Sequence, residues 1–100
     1  MKSNDAHLYE LENLNGGTQK LQFIHKVPKA DKPAELVTAV NGTTNEEVIL
    51  ALIDRMEYLD AKMPCRENSI VITKLEEALM WICHRKADRM ERKVDGKNIP

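Results

Sequence analysis

Apolar positions recur along this chain with two different periods, and the change falls between Val40 and Thr44. Up to Val40 the period is close to two. Tyr9 and Leu11 alternate with Glu10 and Glu12, and Leu21, Phe23 and Val27 alternate with Gln22 and Lys26. Such alternation predicts strands that turn one face inward. Asn15-Gly16-Gly17 lies between the two runs and supplies the left-handed backbone of a tight turn, so residues 7–27 read as a β-hairpin. Ile24 breaks the alternation and is available to face a partner. Pro28 to Pro33 is a polar connector, and Glu35 to Val40 reads as a third strand ending at Asn41-Gly42. Residues 7–40 are therefore expected to form a small β-meander.

From Thr44 onward the period lengthens to that of a helix. Thr44-Asn45-Glu46-Glu47 has the pattern of a capping box. Ile49, Leu52, Ile53, Met56 and Leu59 then follow the i, i+3, i+4, i+7 spacing of an amphipathic helix. Pro64 disfavours helical geometry in the residue before it, which stops this helix near Lys62. A second helix from Glu67 to Lys93 is expected to meet the first through Val71, Leu75, Ala78, Leu79 and Ile82. The connection is short, so the pair must be antiparallel. At ~1.5 Å per residue the second helix is roughly 40 Å long, too long for the first to cover. Its remainder needs the meander or another subunit. The expected fold class is α+β: a small N-terminal β-meander followed by a long antiparallel two-helix hairpin, one domain over residues 1–100 with the hairpin at 44–95.

Composition narrows the class. With 42% hydrophobic and 31% charged residues the chain is too apolar to be disordered. Four aromatic residues build only a thin core, so a homo-oligomer is expected. The formal net charge is −1, which recruits neither nucleic acid nor acidic membrane. From His84 to Lys97, six Lys/Arg face three Asp/Glu, a patch suited to a small anion and a poor footprint for DNA. The two cysteines fit no metal spacing and read as reduced thiols. No run approaches the length of a membrane span and no secretory signal opens the chain. A cytoplasmic protein without DNA or membrane as partner is the expectation.

Enzymatic chemistry finds no support. No Ser or Cys stands in a nucleophile setting, and His7, His25 and His84 are too scattered for a metal triad. Glu76 and Glu77 are adjacent, so on a helix they diverge by about 100° and do not pair. Gly16-Gly17 is a hairpin turn and not a phosphate-cradling loop. No catalytic residue, metal or cofactor is expected. Binding remains. Arg85, Arg89 and Arg92 form a row near the end of the second helix, and a planar guanidinium suits phosphate or carboxylate oxygens. The same row also reads as a solvated basic helix end that complements the macrodipole. If two subunits meet antiparallel, Asn68 at the start of one helix approaches Arg85 and Arg89 at the end of another. Asn68 would read a base or ribose edge, the arginines a pyrophosphate, and Tyr58 would stack on a base. Met80 and Trp81 mark either a protein interface or a cover for the meander.

The segments CREN, TKLEEALMW and R-x-x-x-R, within Thr44 to Gly96, resemble the helical-hairpin domain of phage nucleotide sponges, the anti-CBASS and anti-Thoeris counter-defence proteins. The β-rich N-terminal part is more similar to the anti-Thoeris branch. The resemblance implies a non-catalytic homo-oligomer, a hexamer or dimer, that traps a host immune messenger at subunit interfaces. For cyclic ADP-ribose isomers it implies Tyr58, Asn68, Arg85 and Arg89. For cyclic oligonucleotides it implies Arg66 and Thr73. A further basic residue from the β-unit is implied, with Lys20, His25 and Lys26 as candidates, and Arg85-Lys86 departs from the Arg-Thr pair of similar chains. The competing expectation is a phage structural or regulatory module that grips a protein through Trp81 and Met80. A third, a small nucleic-acid binder, would lose affinity steeply with salt.

Overall fold

The computed structural model describes residues Met1–Pro100. Its elements run β1 (Lys2–Asn4), β2 (Leu8–Glu12), β3 (Thr18–Gln22), β4 (His25–Pro28), β5 (Leu36–Val40), α1 (Asn45–Lys62) and α2 (Arg66–Glu91). This is the α+β order expected, antiparallel strands followed by two helices. The chain divides into two compact units: Met1–Thr44 with Gly96–Ile99, and Asn45–Asp95 with Pro100.

In the first unit, β2 and β3 pair antiparallel with Tyr9 opposite Leu21 and Leu11 opposite Gln19. Tyr9 is half-buried as the alternation predicts and meets Phe23 edge to face at 5.7 Å, whereas Leu11 is exposed and Leu8, on the opposite face, is half-buried. Gly16 and Gly17 adopt positive φ (99° and 83°), and the turn is closed by Asn13 N–H donating to the Gly17 carbonyl at 2.9 Å. The single meander expected over 7–40 is corrected in two places. A further strand, β1, pairs with β2 through Asp5-Ala6, two non-glycine residues at φ 59° and 60°. The run from Thr18 to Val27 is also not one strand: it breaks at Phe23–Ile24, and β4 pairs with β5 in a separate sheet.

The break has a visible cause. Thr43 N–H donates to the Gln22 carbonyl and Ile24 N–H to the Thr43 carbonyl, both at 2.9 Å, while Phe23 N–H turns to the His7 carbonyl at 2.7 Å. A Cβ on Gly42 would stand 2.5 Å from the Gln22 oxygen and the Phe23 carbonyl carbon, so only glycine lets the backbones approach this closely. Ile24 breaks the alternation because the chain changes sheets there. The end of the chain returns to this unit, with Leu36 N–H donating to Gly96 and Asn98 N–H to Ala34.

In the second unit α1 and α2 pack on each other. The half-buried residues on α1 include Ile49, Ile53 and Met56, and on α2 they are Asn68, Ile72, Leu75, Leu79 and Ile82. Alternating steps of three and four place each set along one seam. Ile72 takes the place expected for Val71, and Ala78 is also exposed. Leu52 and Leu59, expected to face α2, are exposed as well. No apolar side chain of the whole chain is fully buried.

Candidate ligand-binding residues on the helical hairpin

Both ends of α2 carry the candidate residues, and each end is built differently. At the start, Cys65 has extended backbone and acts as N-cap, its Sγ accepting from Asn68 N–H at 3.4 Å. Asp60 Oδ1 accepts the Cys65 N–H at 3.2 Å, which fastens the end of α1 to the start of α2. The following residues, Arg66 and Asn68, enter the helix with their side chains uncommitted. Arg66 is exposed and forms no ion pair, and Asn68 is half-buried. Thr73 lies two turns beyond Arg66 on the same face and is exposed. Tyr58 is 59% exposed, outside the seam with α2, and the Lys62 ammonium stands 5.1 Å from its ring centroid.

At the other end the basic row divides. Arg92 pairs with Asp88 at 3.1 Å and Lys86 with Asp95 at 3.2 Å. Arg89, 7% exposed, is the most enclosed residue in the chain, and its NH2 group donates to the Val94 carbonyl at 2.9 Å. The turn that makes this possible is a Schellman motif: Val94 N–H donates to Arg89 O at 2.9 Å and Lys93 N–H to Met90 O at 3.1 Å. Its left-handed position, at φ 58°, is Lys93 where glycine is usual. Arg85, one turn before Arg89, is exposed and forms no ion pair.

The residues expected to share a site thus form two groups in one copy of the chain. Tyr58, Arg66 and Asn68 gather near the hairpin tip, with Thr73 two turns along. Arg85 and Arg89 stand at the far end, with Asn68 and Arg85 about 25 Å apart along the axis at ~1.5 Å per residue. Neither the thiol cap at Cys65 nor the turn that encloses Arg89 follows from the spacing of residues along the chain. No three His, Cys, Asp or Glu side chains come together in a way that would hold a metal ion.

The family described as Acb2/Tad1, hairpin domain, matches residues 21–87. The chain belongs to this family. The match covers Tyr58, Arg66, Asn68, Thr73 and Arg85 and stops short of Arg89. The chain is also 49% identical over 57 residues to Thoeris anti-defense 1 of Bacillus phage SBSphiJ7, a stretch covering 56% of this chain. That stretch covers 40% of the relative's length, so the chain aligns with under half of it. No helix is long and apolar enough to cross a membrane.

Proposed function

We propose that this Acb2/Tad1 hairpin protein is a phage counter-defence sponge. It binds a host immune nucleotide messenger, a cyclic oligonucleotide or a cyclic ADP-ribose isomer, and holds it without cleaving it, in the host cytoplasm. Family membership and the name of the Bacillus phage relative support the counter-defence part. The observation that carries the binding part is the pattern of uncommitted groups. Arg66 and Arg85 are exposed and unpaired at opposite ends of α2, while neighbouring cations are engaged within the chain. Guanidinium groups left free in this way are ready to take phosphate oxygens.

Self-association belongs to the same proposal. Leu52, Leu59, Met63, Ile70 and Val71 are among the large apolar side chains left exposed on the hairpin. A second copy laid antiparallel along α2 would bring the tip group of one chain towards the arginine end of another. That closes the 25 Å gap, which a single copy leaves open.

The test is to mix the purified protein with cyclic ADP-ribose isomers and cyclic oligonucleotides, separate bound from free, then heat the complex. A sponge releases the ligand chemically unchanged. Recovery of a cleaved product would replace this reading with an enzymatic one. The second reading, a module gripping a protein partner, draws on the exposure of Met80 and Trp81. It predicts that no ligand of the panel raises the melting temperature.

A further inference from the structure

Deepening the sponge reading, and resting on it, we propose that Trp81 is a base-stacking platform working with Arg85, so that one α2 end reads base and phosphate together. Trp81 is 63% exposed, the highest value for any aromatic residue among the exposed large side chains. Its immediate neighbours on the helix face, one turn to either side, are Glu77, Ala78, His84 and Arg85. The core of a protein interface is depleted of charge, and an indole ringed by a carboxylate, an imidazole and a free guanidinium does not match that setting. It does match a nucleotide, which offers an aromatic face beside anionic oxygens.

The geometry is already partly organised. His84 meets the Trp81 ring at 5.6 Å between centroids with 66° between planes, an edge-type contact within the same helix. Arg85 follows one turn after Trp81, about 6 Å along the axis, close to the spacing between a nucleobase and its 5′-phosphate. Arg85 makes no ion pair, so its donors need not be released before a phosphate binds. Tyr58, the other exposed aromatic of the hairpin, stands towards the opposite end and cannot serve Arg85 of its own chain.

The chain has one tryptophan, so indole emission reports this position alone. The full-length protein is titrated with cyclic ADP-ribose, cyclic di-AMP, cyclic tri-adenylate and inorganic pyrophosphate, with heat of binding and emission followed together. A base-bearing ligand should quench emission, whereas pyrophosphate should bind more weakly and leave it unchanged. Stacking contributes about 1–3 kcal/mol per base, so Trp81→Ala should weaken the base-bearing ligand about 5- to 150-fold. Trp81→Phe should recover most of that loss, and pyrophosphate affinity should be the same in all three proteins. Equal affinity of Trp81→Ala and the parent for the base-bearing ligand overturns the proposal. So does emission that stays constant at calorimetric saturation. Loss of the parent's oligomeric state in Trp81→Ala assigns the indole to a contact between copies and also overturns it. If no base-bearing ligand gives heat with the parent, the sponge reading itself fails and the stacking role falls with it.

Discussion

The two ends of α2 begin from similar sequence and finish in opposite conditions. Each presents arginine beside a helix terminus. At the start, a sulfur atom caps one backbone N–H at 3.4 Å and leaves Arg66 exposed. At the end, a Schellman turn, an enclosed guanidinium and two ion pairs engage Lys86, Arg89 and Arg92. Spacing alone treats Arg85, Arg89 and Arg92 as equivalent members of a row. What separates them is which acceptor lies within reach. Val94 O takes Arg89, Asp88 takes Arg92, and Arg85 is left exposed without an ion pair. A charged side chain on a helix surface is a binding group only after the chain's own acceptors have had their share.

The largest expected effect tests that division directly. Arg89→Ala removes the enclosed guanidinium and leaves the Val94 carbonyl without its donor. Hydrogen bonds to charged groups contribute about 1.5–3 kcal/mol, and we expect a loss of that size in denaturant unfolding. Arg85→Ala should change stability by less than about 0.5 kcal/mol, as for exposed positions without partners. Ligand affinity should respond in the reverse order, lost outright in Arg85→Ala while the oligomer persists. If the two substitutions cost the same stability, the enclosure of Arg89 does not hold the turn. Loss of assembly in Arg85→Ala would make that arginine structural. Protein concentration must be matched throughout, because the stability of an oligomer depends on it.

A smaller effect of opposite sign is expected at Lys93. Left-handed backbone costs an L-residue roughly 1–2 kcal/mol, and glycine avoids that strain. Lys93→Gly keeps the two backbone hydrogen bonds of the turn and removes the strain. Glycine loses more backbone freedom on folding, which offsets part of the gain. We expect about 1 kcal/mol of net stabilisation, seen as a rise of about 4–8 °C in Tm for a domain of this size. A fall in Tm would mean that the lysine side chain itself stabilises the turn. Affinity for the ligand should be unchanged, since no step of the binding model uses Lys93.

How far the sequence reveals this molecule depends on whether the signal is local. The β2–β3 hairpin was legible because Tyr9 and Leu21 alternate with polar residues and Gly16-Gly17 marks the turn. The helical hairpin was legible because Pro64 punctuates two amphipathic runs. Strand β1 was not, since Lys-Ser-Asn is polar and its turn uses Asp5-Ala6 where glycine or asparagine is usual. The break at Phe23 was hidden because its cause, the close passage of Gly42 and Thr43, lies some twenty residues away. Ile72 displaced Val71 from the seam because the two residues straddle its boundary. The placement of the candidate residues was legible, with Tyr58 on α1 and Arg66, Asn68, Thr73, Arg85 and Arg89 on α2. The distinction between Arg85 and Arg89 was not, because it depends on a left-handed lysine that sequence rules reserve for glycine.

The smallest expected effect concerns the opposite end of the same helix. Serine ranks among the preferred N-cap residues, because its oxygen accepts a short, well-directed hydrogen bond from the backbone. In Cys65 a larger and weaker acceptor does this at 3.4 Å, while Ser69 Oγ donates to the Cys65 carbonyl from the next turn. Cys65→Ser keeps both the Asp60 contact to its N–H and the carbonyl contact, so it exchanges one acceptor atom for a better one. We expect a gain of about 0.5 kcal/mol, at the low end of what cap exchange gives. Amide exchange at Asn68 should slow by a factor of about two, while amides at Arg89 and Met90 should not change. No slowing at Asn68 would show that the sulfur contact is not the cap. Slowing at both ends alike would show that the two ends of α2 open together, and the contrast between them would then lie in side-chain availability alone.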